Sequence, residues 1–375
     1  MIYLDYSANT PVDARVLEQF CAVERRCIGN ANSHHQAGSA AKAEIDAATI
    51  KIASLLGVQP AEIIYTSGAS EANNFALKGL ARLSRHAGGH IISTPLEHSS
   101  VSGTLTALQE QGYEIDLLDV KQDGTVDLEH LKDLLRPDTI CVAVTLVDSE
   151  LGVVQPVQEI AAILKAYPHC HLHVDATQAV GKIPVSFEGV DTMSLTAHKF
   201  YGLNGIGLLI KRRNLALEPL IHGGESTTIY RSGTPTVALA SSLACALDFA
   251  VTDLPGRVDH VAKLNAELRA ALSTYPLVRI NSPDHAIPHV LNLSVRNVKG
   301  TVFQRELDAK GVCVSVKSAC SSDGLPSRAV FAVSRDRRNA LSSWRISLSH
   351  LTTEDEIKAF LQAFDVCYRE LTAVH

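Results

Sequence analysis

Residues 171–211 read "HLHVDATQAVGKIPVSFEGVDTMSLTAHKFYGLNGIGLLIK". Three short β-prone runs sit in this stretch: "HLHVDA" (171–176), "TMSLTA" (192–197) and "GIGLLIK" (205–211). Short runs of this kind predict strands of a sheet covered on both faces. Polar residues follow the first two: Asp175 and Gln178 after one, His198 and Lys199 after the other. In open α/β sheets, ligands collect at the carboxyl ends of strands. Lys199 stands out, because its apolar surroundings predict an interior position. An ammonium ion there costs free energy unless it is paired or neutralised.

The same alternation extends outward. "EIIYT" (62–66) precedes a helical pattern from about Glu71 to Leu83, and "HIISTP" (90–95) precedes another near 101–111. "TICVAVTLV" (139–147) leads into a helix whose Ile160, Ile163, Leu164 and Tyr167 share one face. Upstream, Ile45, Ala48, Thr49, Ile52 and Leu56 mark a further amphipathic helix. Strands alternating with helices predict a parallel α/β sheet. The pattern changes after about residue 252, with "DLPGR" (253–257) as the expected boundary. Beyond it, helical stretches flank "HVLNLSV" (289–295), "VCVSV" (312–316) and "WRISLS" (344–349). A last helix opens at Thr353, with Glu356 completing a capping box.

The chain has 375 residues, 46% hydrophobic and 20% charged, which suits a large globular domain with a smaller second one. A net charge of −6 leaves no footprint for nucleic acid. No apolar run is long enough to span a bilayer. The start, "MIYLDYSANTPVD", lacks the basic-then-apolar pattern of a secretion signal, so a cytoplasmic protein is expected. Its eight cysteines show no CxxC pair or regular spacing. Reduced thiols and no metal site are expected.

"YTSGASEAN" places Ser67, Gly68, Ala69 and Ser70 between a strand and a helix. Free backbone N–H groups at such a helix start suit a phosphate, although an ordinary N-cap has the same look. Asp175 alone is a strand-end acid, and His98 in "TPLEHSS" alone is a loop histidine. Together with Lys199, however, these are the parts that hold pyridoxal phosphate. The lysine forms a Schiff base, the aspartate pairs with the pyridinium nitrogen, and the phosphate rests on the helix N-terminus. A lysine in a Schiff base is no longer a buried free ammonium.

The ordered set "YLDYSANTPVD", "GNANSHHQAG", "TSGASEANNFALKG", "PLEHSSV", "ELGVVQPV", "HVDATQAVGKIPV", "AHKFYGLNGIG", "RSGTPT", "SAC" and "WRISLSHLTTEDEI" resembles the cysteine desulfurases. These belong to the class V aminotransferase group of fold-type I pyridoxal 5'-phosphate enzymes. The resemblance implies a large α/β domain (residues 12–252) around a mostly parallel seven-stranded sheet. It also implies a smaller α+β domain (1–11 and 253–375) carrying the loop of the catalytic cysteine. By the same resemblance, Lys199 anchors the cofactor and moves the α-proton, Asp175 holds the pyridine nitrogen, and His98 stacks on the ring and serves catalysis. Gln178 would bond the phenolic oxygen, and Ala69, Ser70, Thr196 and His198 the phosphate. Thr234 would reach the phosphate of a neighbouring subunit in a homodimer. Arg345 and Asn9 would hold the substrate, L-cysteine. Cys320 would take its sulfur as a persulfide and pass it to an acceptor protein, leaving L-alanine.

Four departures from the family pattern stand out. Asp148 replaces an asparagine in "VDSELG", and is expected ionised beside the phenolic oxygen. "GGESTTIY" replaces a shorter glycine–glutamine–glutamate–arginine run. Lys317 stands for a glycine, and Ser70 for a threonine. Selenocysteine lyase, another C–S lyase, an aminotransferase and a silent scaffold remain alternatives. Iron–sulfur cluster assembly, tRNA thiolation and cofactor thiolation all remain open as destinations of the sulfur.

Overall fold

The computed structural model describes residues 1–86, 88–317 and 324–373. A seven-stranded sheet organises the larger part. Its order is Ile63–Thr66, Gly207–Lys211, Thr192–Thr196, His171–Asp175, Thr139–Thr145, His90–Ser93, Glu114–Leu117. Every neighbouring pair is parallel except the two made by Gly207–Lys211. Side chains alternate across it. Ile63, Ile92, Val142, Val144, Leu208 and Ile210 join one core, while Ile64, Ile91, Cys141, Ala143 and Leu209 join another. This period of two, with apolar residues at every step, is what a sheet covered on both faces demands. Helices Gln36–Leu56 and Val237–Thr252 lie over the first face, with Ile45, Ala48 and Ile52 turned inward; Ala69–Leu83 and Ser99–Gln109 cover the second. At Gly207 an added Cβ would sit 2.7 Å from the Gly68 Cα, so only glycine lets these backbones approach.

A separate core forms around a three-stranded antiparallel sheet, Ser343–Ser347, Val290–Val295 and Val278–Ile280. Phe303 stacks on Trp344 there, ring centroids 5.1 Å apart, and Phe360 and Phe364 close the cluster. Leu4 belongs to this core, and Ile2–Tyr3 pairs in parallel with Val312–Cys313. Thr353 and Glu356 make the reciprocal capping box of the last helix, Glu354–Thr372.

At "DLPGR" only Asp253 separates Val237–Thr252 from the helix Leu254–Leu272, whose first turn accommodates Pro255. "VCVSV" yields a strand of two residues, followed by an isolated bridge between Ser315 and Arg345. The edge strands Glu114–Leu117 and Val278–Ile280 are short, half-exposed and partly charged, and so carry little apolar signal. Among the described residues, no single helix is long and apolar enough to cross a membrane.

Candidate active site

A cavity of about 350 Å³ opens at the carboxyl ends of strands His171–Asp175 and Thr192–Thr196. It brings together Asp175, Gln178, Thr196, His198, Lys199, Ala69, Ser70 and His98.

One wall is an anion cradle. Helix Ala69–Leu83 starts after Gly68 (φ 155°) without a side-chain N-cap bond, so its first N–H groups are open toward the cavity. Ser70, Thr196 and His198 add side chains there, and Thr196 Oγ1 lies 3.1 Å from His198 Nδ1. Burial and the nearby charges of Lys199 and Lys182 push His198 down to about 4, so it is a neutral hydrogen-bonding group near pH 7.

Lys199 ends a single helical turn, Ala197–Lys199, directly after its strand. Its Nζ donates to the carbonyls of Ser7 (2.7 Å) and Ala8 (2.6 Å). The N-terminal segment also pins the turn itself. Thr10 donates to the His198 carbonyl through both N–H and Oγ1, and Tyr201 N donates to Thr10 Oγ1 at 2.8 Å. Lys199 is half-buried, against the expectation of an interior lysine. The interior lysines are Lys182 (5% exposed) and Lys211 (1%). Lys182 donates to Gln178 Oε1, and burial beside Lys199 and Arg345 brings it down to about 7.

Asp175 is set by a buried network that sequence reading missed. Its carboxylate accepts from Asn73 Nδ2 (2.8 Å) and from Thr177 N (2.9 Å). Asn73, with no exposed surface, also donates to Ser100 Oγ and accepts from Ser194 Oγ and His173 Nε2. Ser100 continues to His98: its N–H donates to His98 Nδ1, which makes Nδ1 the acceptor and Nε2 the protonated nitrogen. Burial lowers His98 as well.

Next to His98, Glu97 is wholly buried. Its Oε1 accepts from Thr94 Oγ1 and Thr145 N, both at 2.8 Å, while Oε2 has no partner. Burial raises it from 4.5 to about 8. The fold therefore keeps a proton that the unfolded chain loses near pH 4.5, and this contribution to stability falls as pH rises from about 4.5 to 8. The slope is at most ~1.4 kcal/mol per pH unit. Thermal melts of Glu97→Gln and the wild type should diverge in the variant's favour from about pH 5 to pH 8. A difference that does not change with pH would show Glu97 already ionised in the fold.

Other expected residues lie elsewhere. The Asp148 carboxylate does not meet the cavity: it is buried beneath a turn, accepting from the N–H groups of Glu150 and Leu151. Burial and the neighbouring Glu150 raise it to about 7, against the expectation of a fully ionised group. Its neighbour Ser149 lines the cavity instead. Asn9 is exposed and outside the cavity, where Ser7 and Ala8 take its place. Arg345 is 2% exposed and bound to Asp5 Oδ1 (3.0 Å) and the Ser149 carbonyl (2.7 Å), behind the cavity wall. Thr234 is exposed and away from this cavity. Cys320 lies outside the described residues.

The chemistry of the donor set fits pyridoxal phosphate. An anion cradle, an acid at a strand end and an amine share one cavity. Ser7 Oγ and Thr177 Oγ1, both from cavity-lining residues, are buried without a hydrogen-bond partner, which a polar ligand would supply.

Comparison with known proteins agrees. The family model for class V aminotransferases matches residues 2–360. The chain is 40% identical to the cysteine desulfurase IscS of Proteus mirabilis over 365 residues, covering 95% of this chain and 90% of that one. It superimposes on a NifS-like protein with TM-score 0.92 at 35% identity, over 97% of this chain and 98% of the other. A structure titled SspA in complex with cysteine matches with TM-score 0.83 at 30% identity, over 94% and 100%. The chain therefore belongs to the class V aminotransferase family, among its cysteine desulfurases.

Proposed function

We propose that the protein converts L-cysteine to L-alanine and carries the released sulfur as a persulfide on Cys320. The observation that carries this reading is the single cavity joining Lys199, Asp175 and the open start of helix Ala69–Leu83. Bound there, pyridoxal phosphate supplies an aldehyde for the substrate amine and an electron sink for its Cα–H pair. The cradle of Ala69, Ser70, Thr196 and His198 holds the phosphate, and Asp175 keeps the ring nitrogen protonated. Asn73 and Thr177 fix the Asp175 carboxylate in place. Gln178, tied to the Ser7 carbonyl and to Lys182, lines the cavity and would bond the phenolic oxygen of the cofactor. His98 presents Nε2–H to the cavity. Lys199 Nζ takes the proton from Cα, steered by the Ser7 and Ala8 carbonyls. The Cys320 thiolate attacks the substrate Sγ; an S–S bond forms as the Cβ–S bond breaks, Cβ takes a proton from solvent, and Lys199 returns its proton to Cα to complete alanine.

Thr234, exposed and away from its own cavity, is free to serve the cavity of a second copy, which supports a homodimer. A cytoplasmic setting suits a thiol that must stay reduced. The test is product analysis with L-cysteine and a reductant. Alanine and sulfide in equal amounts are expected. Pyruvate with ammonia, or a keto acid, would replace this reading with elimination or transamination.

A further inference from the structure

The smaller core carries a cup of about 510 Å³ between the edge strand Val278–Ile280, the turn at Asn297 and the helix Arg337–Ser342. Four cations line it: Arg279, Arg296, Lys299 and Arg338. All four are exposed, and none has a carboxylate within ion-pair distance among the described residues. Nearby arginines behave differently: Arg269 pairs with Asp284, and Arg335 with Asp119. The one acid in the wall, Asp336, is committed to capping, accepting from the N–H groups of Arg338 (2.9 Å) and Asn339 (3.1 Å). Lys299 is also the N-cap of helix Gly300–Ala309 and makes no side-chain cap bond, so the positive end of that helix adds to the cup's field. In a chain of net charge −6, this is a local reversal of sign.

A second basic hollow, about 500 Å³, adjoins the cofactor cavity, with which it shares Leu96, His98 and Ser149. Lys317, Arg328 and Arg337 line it, together with Glu97 and Glu150, whose carboxyl groups burial raises above their usual range. Arg328 donates to the Glu97 carbonyl and to Ser102 Oγ, and Arg328 and Arg337 form no ion pair among the described residues. Consecutive residues, Arg337 and Arg338, join the hollow to the cup. The basic surface thus runs from the mouth of the cavity to the outer face of the smaller core.

We propose that this surface docks an acidic segment of the protein that accepts the sulfur. The inference rests on the desulfurase reading. Transfer then needs no further reagent. The partner's thiol attacks the outer sulfur of the Cys320 persulfide, the bond from that sulfur to Cys320 breaks, and the proton of the attacking thiol ends on Cys320. An acidic peptide fits better than RNA, because the apolar members of the cup are Leu277, Val278 and Leu341, with no aromatic ring on which a base could stack.

Two ten-residue peptides, one of glutamates and one of glutamines, each with a terminal cysteine and a fluorophore, test this. At full extension each reaches about 33 Å, enough to touch the cup and present a thiol beyond it. Anisotropy reads binding without reference to activity. The glutamate peptide should bind at least ~10-fold more tightly at low ionic strength, with the advantage shrinking as salt is added. Combined Arg279→Ser, Arg296→Ser and Arg338→Ser substitutions should remove the preference, and the matching Arg→Lys set should keep it. Neither set should alter alanine formation supported by a small thiol. In turnover with the peptides as acceptors, the wild type should show the lower KM for glutamate, and the serine set should not. Equal affinity for the two peptides, an unchanged preference in the serine set, or tighter binding of a ten-nucleotide RNA would each overturn the assignment. Absent alanine formation with intact peptide preference would strike the desulfurase reading alone.

Discussion

Lys199→Ala is expected to lower alanine formation at least ~10³-fold and to release pyridoxal phosphate on dialysis, because in the proposed reaction one side chain both anchors the cofactor and moves the α-proton. The competing candidates are specific. Burial brings Lys182 down to about 7, which favours an uncharged, nucleophilic amine near neutral pH. It is nonetheless tied to Gln178 Oε1 and does not line the cavity. Lys211 is buried against carbonyls at the far end of its strand, the nearest being Leu215. Lys199 alone of the three faces the cavity. Borohydride reduction of the holoenzyme and peptide mapping should therefore place the label on Lys199. A label on Lys182 would overturn the assignment. Lys182→Met should keep the covalent label and most of the activity.

Strands Ile63–Thr66, Thr139–Thr145 and Gly207–Lys211 were legible as largely apolar runs. His171–Asp175 and Thr192–Thr196 instead alternate polar with apolar residues, and polar residues follow both. The edge strand Glu114–Leu117 was not legible: it pairs on one side only, and its two acids face water, so nothing in its pattern separates it from a loop. The interior-lysine argument led to Lys199, the lysine that faces the cavity, but for an incomplete reason. Apolar neighbours also surround Lys182 and Lys211, which are more deeply buried and are satisfied by carbonyl or amide oxygens.

The segment at 148–149 shows how fine the limit is. Motif matching pointed to Asp148, yet its carboxylate turns into the chain and closes the turn to Leu151, and the next residue faces the cavity. A shift of one residue changes which side a chain element presents, and sequence spacing alone does not fix that phase at the end of a strand. Asn73 escaped notice for a different reason. It lies on a helix among alanines, and its importance comes from four polar partners far apart in sequence: Asp175, Ser100, Ser194 and His173. Only the folded chain brings those together.

Cys320→Ser should abolish persulfide formation and stop alanine release with cysteine, while leaving cofactor binding and the cysteine-induced change in its absorption intact. The other cysteines argue for this singularity. Burial pushes Cys170 up to about 12, Cys367 to about 11 and Cys141 well above its usual range, and it raises Cys245 and Cys313 as well. At neutral pH these are thiols, and the thiolate is the nucleophile. Cys21 lies on helix Ala14–Arg26 and Cys27 caps it, and neither lines the cavity. Cys320 follows Lys317, whose positive charge favours a thiolate nearby. The variant also separates the two halves of the reaction: Lys199→Ala loses the cofactor's anchor, whereas Cys320→Ser keeps a loaded cavity that binds cysteine and goes no further. Mass spectrometry of the intact protein after incubation with cysteine reads the outcome as one added sulfur atom in the wild type and none in the variant. Added sulfur at the normal rate in Cys320→Ser would place the persulfide on another cysteine. Cys313, on the strand paired with the N-terminal segment, would be the first to examine by the same measurement.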